Sequence, residues 1–179
     1  MRYLSLMLLL FIGLNSNAQK YICNEGEVSF YSEAPLENIK ANTNKATSII
    51  NLETGEVAFS IPINSFEFKK SLMQKHFNEN YMESERYPKA TFSGIIKNFQ
   101  NKPGTYQAQA EGEMVIHGQK RKVTVEGALT ISEDDAHVKA VFPVKLKDYK
   151  IKIPRILFSN IAEEVEVTIN FQYKPYVAP

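Results

Sequence analysis

The chain has 179 residues, with 21 Lys and Arg against 20 Asp and Glu, a formal charge of +1, one Cys and no Trp. That length suits one domain, or at most two small ones, with a real hydrophobic core, and the near-zero charge gives no electrostatic basis for a nucleic-acid partner. The single Cys excludes an intramolecular disulfide framework and a Cys-based zinc cluster, and 44% hydrophobic with 23% charged residues excludes intrinsic disorder.

Residues 1–18 read as a secretory signal. Arg2 is a short positive region, residues 4–14 are apolar, and Ser16-Asn17-Ala18 supplies small residues at the cleavage positions. About eleven apolar residues are too few to span a bilayer. Cleavage is expected after Ala18, giving a periplasmic or secreted protein. Cys23 comes after Lys20-Tyr21-Ile22 rather than the small residues of a lipoprotein site, so no lipidation is expected. The remaining domain, residues 19–179, has no net charge and contains 26 Val and Ile against 6 Leu. β-Branched residues suit pleated surfaces, so composition points to β-structure.

In chain order, residues 27–32 form a short opening strand, and Ala34-Pro35 breaks the chain after it. Residues 46–52 and 56–63 flank Glu53-Thr54-Gly55 as a hairpin, with Val57, Phe59, Ile61 and Ile63 on one face. Pro62 suggests an edge or bulge. Phe68, Leu72, Met73, Phe77 and Tyr81 recur at helical spacing, which predicts one helix over 70–82. Pro88 then returns the chain to an extended form, and residues 89–99 form a strand. Four longer segments alternate strictly. The stripes are Tyr106 to Ile116, Val123 to Ile131, Val138 to Leu146 and Val165 to Tyr173, each with polar residues between. His117-Gly118-Gln119-Lys120 and Glu133-Asp134-Asp135 read as turns.

Eight or nine antiparallel strands and one helix must either sandwich two sheets or close into a barrel. Closure removes edges, so the expected fold is all-β, a single antiparallel eight-stranded barrel with one inserted α-helix. Ala108, Ala110 and Gly112 are small at successive inward positions, which suggests a lumen unless bulky partners such as Phe92 or Phe142 fill it.

Three segments together carry a resemblance. They are residues 73–84 (MQKHFNENYMES), 87–94 (YPKATFSG) and 112–118 (GEMVIHG). In this order they resemble the YceI-like family of bacterial exported proteins, over roughly residues 26–173. The resemblance implies a lipocalin-like barrel whose lumen binds a long apolar molecule, a polyisoprenoid such as an isoprenoid quinone. Residues 147–154 depart from the family's Arg-Ser-Asp-Phe-Gly-like stretch, so a head group contacted there would differ.

The expected function is an exported lipid-binding protein that stores or transports a polyisoprenoid, an isoprenoid quinone or an acyl chain, as monomer or homodimer. Phe59, Ile61, Phe92, Tyr106, Ala108, Ala110 and Met114 would line the lumen. Val125, Leu129, Ala140, Phe142, Val167 and Phe171 would complete the lining. Leu72, Met73 and Phe77 would turn the helix onto the barrel. Neither a nucleophile elbow nor a metal-binding or phosphate-binding motif occurs, so no catalytic residue, metal or cofactor is expected beyond a bound lipid. The alternative is a barrel enzyme acting on a small apolar substrate through His117 or Tyr106. Lys147, Lys150 and Lys152 read as solvated surface, or as a guide for an anionic head group in a transient membrane contact.

Overall fold

The computed structural model describes residues 20–33, 38–152 and 163–176. The expected signal segment lies outside these residues, as does the Ala34-Pro35 break. The strands are β1 (Lys20–Ser32), β2 (Ile39–Asn51), β3 (Glu56–Pro62), β4 (Glu67–Phe68), β5 (Lys89–Lys97), β6 (Gly104–Ile116), β7 (Gln119–Ile131), β8 (Ala136–Lys145) and β9 (Glu164–Pro175). One short helix, α1 (Ser71–His76), continues into a wider π turn over Phe77–Tyr81.

Every pairing is antiparallel. The sheet runs β1-β9-β8-β7-β6-β5-β3-β2, and β1 pairs β2 to close the ring. The result is an eight-stranded barrel. β4 is a two-residue addition on β2. It continues β3 along the same partner, displaced by the 3₁₀ turn Ile63–Ser65. Ser65 Oγ donates to the Pro62 carbonyl at 2.7 Å, and it also lies 2.7 Å from Thr43 Oγ1, which pins the interruption.

Closure comes from long strands of Val, Ile and aromatic residues joined by tight turns. His117 (φ 49°) and Gly118 (φ 69°) are both left-handed, the geometry of a two-residue hairpin turn whose twist matches its strands. A Cβ on Gly118 would also meet the Tyr87 ring at 2.6 Å.

The two ends of the barrel differ. At the lower end stand the turns near residues 52–55, 98–103 and 132–135, together with both ends of the described barrel, where Tyr176 N–H donates to the Lys20 carbonyl at 2.7 Å. The upper end carries the longer connections: residues 63–88, which hold β4, α1 and the π turn, and the stretch after β8. The latter begins with the 3₁₀ turn Leu146–Tyr149.

Several expected boundaries shift for physical reasons. β1 begins at Lys20, not residue 27. Its inward positions are Tyr21 and Cys23, then Gly26 and Val28, because irregularities between Cys23 and Val28 reverse the alternation. β2 begins at Ile39, not 46. It buries Ala41 and Thr43, then Ala46, Ser48 and Ile50, with a parity change at Asn44-Lys45. β5 ends at Lys97 rather than 99, and β8 begins at Ala136, ahead of the Val138 stripe.

Candidate functional site: an apolar lumen in two chambers

The barrel interior holds two apolar cavities. The upper one measures about 150 Å³ and lies under the 63–88 excursion. From the barrel wall it takes Val28, Phe30, Phe59, Ile61, Ala90, Met114, Ile116, Phe142, Val144 and Val167; from the excursion, Ile63, Phe66, Phe68, Met73, Phe77, Tyr81 and Met82; and from the loop after β8, Leu146 and Ile151. The lower one measures about 50 Å³ and is lined by Phe92, Ala108, Ala110, Val125, Leu129, Ala140 and Phe171, with Ile96, Ile169 and Tyr173. Phe59, Met114 and Phe142 border both cavities. They form the constriction between the chambers.

The sequence-predicted lining therefore divides. Phe59, Ile61, Met114, Phe142 and Val167 stand around the upper chamber, and Phe92, Ala108, Ala110, Val125, Leu129, Ala140 and Phe171 around the lower. Met73 and Phe77 face the upper chamber. Two residues do not belong. Tyr106 borders neither cavity: its hydroxyl donates to the Lys102 carbonyl at 3.0 Å and its ring meets Phe99 edge-on at the lower rim. Leu72 is 63% exposed. Phe68, from which the helical spacing to Leu72 is counted, lies in β4 and not in the helix. The helix starts at Ser71, so its inward face runs through Met73, Phe77 and Tyr81, and Leu72 is about 100° away from Met73.

The small stripe Ala108, Ala110 and Gly112 does not mark the larger space. At Gly112 the Phe92 ring takes it: a Cβ there would stand 2.9 Å from Phe92 Cζ and 2.3 Å from the Ser93 carbonyl oxygen. Phe59 stacks on Phe92 at 5.3 Å and meets Phe171 edge-on at 5.7 Å, so three rings fill the middle of the barrel. The upper chamber instead depends on Phe66, Phe68, Tyr81 and Met82 from a connection without period-two alternation. The signal that could have found it is the density of aromatic residues between two barrel strands. Phe77 anchors that connection, with ring centroids 5.5 Å from Phe30, 5.7 Å from Phe66 and 5.0 Å from Phe68.

Chemically the lumen offers burial. Its described lining contains no carboxylate, imidazole, ammonium, guanidinium or thiol. His117 faces away from it: Nδ1 donates to the Tyr149 carbonyl at 3.1 Å, and Nε2 lies 3.3 Å from Glu83 Oε1. Among the described residues no group of three or more His, Cys, Asp and Glu could hold a metal ion. No helix among the described residues is long and apolar enough to cross a membrane.

Two buried groups at the lower end give the protein a pH dependence. Burial pushes the Cys23 thiol up, with smaller opposing hydrogen bonds from the Gln172 and Glu25 backbone. Burial likewise pushes the Tyr173 phenol up, against its hydrogen bond with Ser48 at 2.7 Å. A raised pKa adds stability that is complete below the unfolded-state value and lost as pH rises above it. Melting temperature should hold at neutral pH and fall from about pH 8.5, the ordinary thiol range, with a steeper fall as phenols ionise. Cys23→Ala should remove the first part of that fall. A melting temperature that falls identically in the variant would show that the thiol makes no contribution.

A closed antiparallel barrel with an apolar lumen and a helical connection across one end is a class of fold whose interior can hold one small ligand. A YceI-like domain model matches residues 23–173, and the chain belongs to that family. Solved structures share the fold at low identity. BcnA of Burkholderia cenocepacia matches with a TM-score of 0.69 at 18% identity, over 82% of this chain and 95% of that one. A polyisoprenoid binding domain from Saccharophagus degradans, implicated in plant cell wall breakdown, matches with a TM-score of 0.69 at 14% identity, over 89% and 99%. The YceI protein of Campylobacter jejuni matches with a TM-score of 0.63 at 13% identity, over 82% and 90%. No curated protein matches the sequence.

Proposed function

We propose that this protein is exported and holds a long apolar chain, of polyisoprenoid or isoprenoid-quinone type, in its lumen for storage or transport. The observation that carries this reading is the upper chamber, walled mainly by aliphatic and aromatic side chains, with Ser32 and Thr91 among them and no charged group in its described lining. The polyisoprenoid-binding character of the Saccharophagus degradans domain supports the ligand class. Burial supplies the affinity, at about 0.8 kcal/mol per CH₂ removed from water.

Size sets the manner of binding. An apolar cavity of about 150 Å³ takes a molecule such as benzene, so the upper chamber as it stands holds about one isoprene-sized piece. A longer chain needs more room than both chambers together offer. Rotation of Phe59, Met114 and Phe142, which border both, would join them, and the 63–88 connection would also have to give way. Met is well suited to such a position, because its unbranched side chain adapts to irregular space.

Protein recovered from the exported fraction, with Gln19 as its first residue, should release a polyisoprenoid on solvent extraction, read by mass spectrometry. An extract without any long apolar molecule would count against the lumen as the binding site.

A further inference from the structure

The end of the barrel that holds the larger chamber also carries a charge pattern that the lumen does not use. The loop after β8 is two-sided. Leu146 and Ile151 line the upper chamber, while Lys147, Lys150 and Lys152 are exposed. Lys150 adopts left-handed backbone (φ 54°), a conformation uncommon outside glycine, and the turn closes through Ile151 N–H to the Leu146 carbonyl at 3.1 Å. Two hydrogen bonds lay the start of β7 against this loop. Arg121 Nε donates to the Asp148 carbonyl at 2.9 Å, and His117 Nδ1 to the Tyr149 carbonyl at 3.1 Å. Within residues 117–122 and 146–152 there are six Lys and Arg side chains and one acidic one, Asp148. Glu113 pairs with Lys120 at 3.0 Å.

The turns of the opposite end have the other sign, although Lys20 and Lys97 stand on the adjoining strand ends, Lys97 paired with Glu111. The turns over residues 51–56 and 132–136 contain Glu53, Glu56, Glu133, Asp134 and Asp135 and no basic residue, and the third turn adds only Lys102. Lys174 pairs with Asp135 at 3.3 Å. At the end with the larger chamber Leu72 is 63% exposed. It stands between Lys69, just before α1, and Lys75 within it, both exposed. The acidic residues of that end include Glu33, Glu67, Glu79, Glu83, Glu85, Glu163 and Glu164, so the basic surface is the local one over residues 117–122 and 146–152. Glu83 is already engaged by His117 at 3.3 Å and by Arg86 at 3.7 Å.

We propose that this end of the barrel docks on an anionic lipid bilayer, with Lys147, Lys150 and Lys152 against the head groups and Leu72 in the interfacial layer. The local basic patch would orient the barrel with its larger chamber toward the membrane, because an anionic surface attracts that patch and repels the acidic turns opposite. The proposal rests on the lumen reading in one respect: a cargo insoluble in water must be exchanged with a bilayer.

Vesicle flotation tests it. The purified protein should bind vesicles of phosphatidylcholine mixed with phosphatidylglycerol and should bind pure phosphatidylcholine at least about tenfold less. The triple variant Lys147→Gln, Lys150→Gln, Lys152→Gln should lose roughly a hundredfold in partition to the mixed vesicles, with an unchanged melting temperature. Because Lys150 sits in a tight turn, Leu72→Ser serves as a second variant at a freely exposed site and should lose several-fold. Raising the salt concentration should weaken wild-type binding. Equal binding to neutral vesicles, a triple variant that binds like wild type, or no binding to either vesicle would overturn the proposal. Retention on an immobilised acidic polypeptide without vesicle binding would overturn it in favour of an acidic protein partner. The vesicles contain no isoprenoid, so docking and cargo are read separately. Lost vesicle binding with full isoprenoid content defeats docking alone, and an empty lumen with intact vesicle binding defeats the lumen reading alone.

Discussion

Ala90→Phe should empty the barrel of lipid while leaving it folded. Ala90 is buried on β5 and borders the upper chamber beside Ile61, its partner in register on β3. A phenyl ring there projects into an apolar cavity, so the burial it gains offsets part of the 1–3 kcal/mol that overpacking usually costs, roughly. The melting temperature should fall by no more than a few degrees. Extracted lipid per mole of protein should fall at least about tenfold, because a 1.4 kcal/mol loss already gives that factor and the ring removes room for several methylenes. Ile95→Ser, at an exposed position on the outer wall, is the control and should leave lipid content unchanged. If Ala90→Phe carries as much lipid as wild type, the cargo does not lie in the upper chamber.

Gly112→Ala should be a severely damaging single methyl. Gly112 on β6 faces Gly94 on β5 in register. A Cβ at residue 112 would stand 2.3 Å from the Ser93 carbonyl oxygen and 2.6 Å from the Gly94 Cα, with the Phe92 ring at 2.9 Å. Two of these three neighbours are backbone, so no side-chain rotation relieves the contact. The strands must part at this point, breaking ladder hydrogen bonds and displacing the ring that fills the mid-barrel. The expected loss is about 3 kcal/mol or more, in the range that marks a core overpacking defect. Chemical denaturation should show a lower midpoint with an unchanged slope. A variant within about 0.5 kcal/mol of wild type would mean that β5 and β6 can separate freely here.

The parts of this fold that sequence reveals are those where alternation runs unbroken. From Tyr106 onward the strands β6 to β9 have continuous stripes and paired turns, and the barrel class is legible from them. β1 and β2 are only half legible. Each contains an irregularity that swaps the inward parity, so Cys23 and Val28, or Thr43 and Ala46, cannot belong to one stripe. The polar run Lys40-Ala41-Asn42-Thr43-Asn44-Lys45 also has few β-forming side chains, yet it pairs along β1 because the closed ring needs a partner there. The lumen is legible to the same degree. Its walls, such as Ala108, Ala140 and Val167, come from alternating strands. Its upper closure comes from Phe66, Tyr81, Met82 and Ile151, whose placement depends on how two connections fold over the mouth. Such tertiary placement leaves no local period, and this is why helical spacing alone puts Leu72 on the wrong face.

The adjacency of Lys20 and Tyr176 at the acidic end has an engineering consequence. The chain enters and leaves the barrel at one point, far from the 63–88 excursion. A tether attached at Lys20 or Tyr176 would therefore present the larger chamber outward, as an immobilised lipid sensor requires. Linking Tyr176 to Lys20 and opening the chain at Glu53-Thr54 should give a circular permutant with its lumen intact, since that turn also lies at the tethered end.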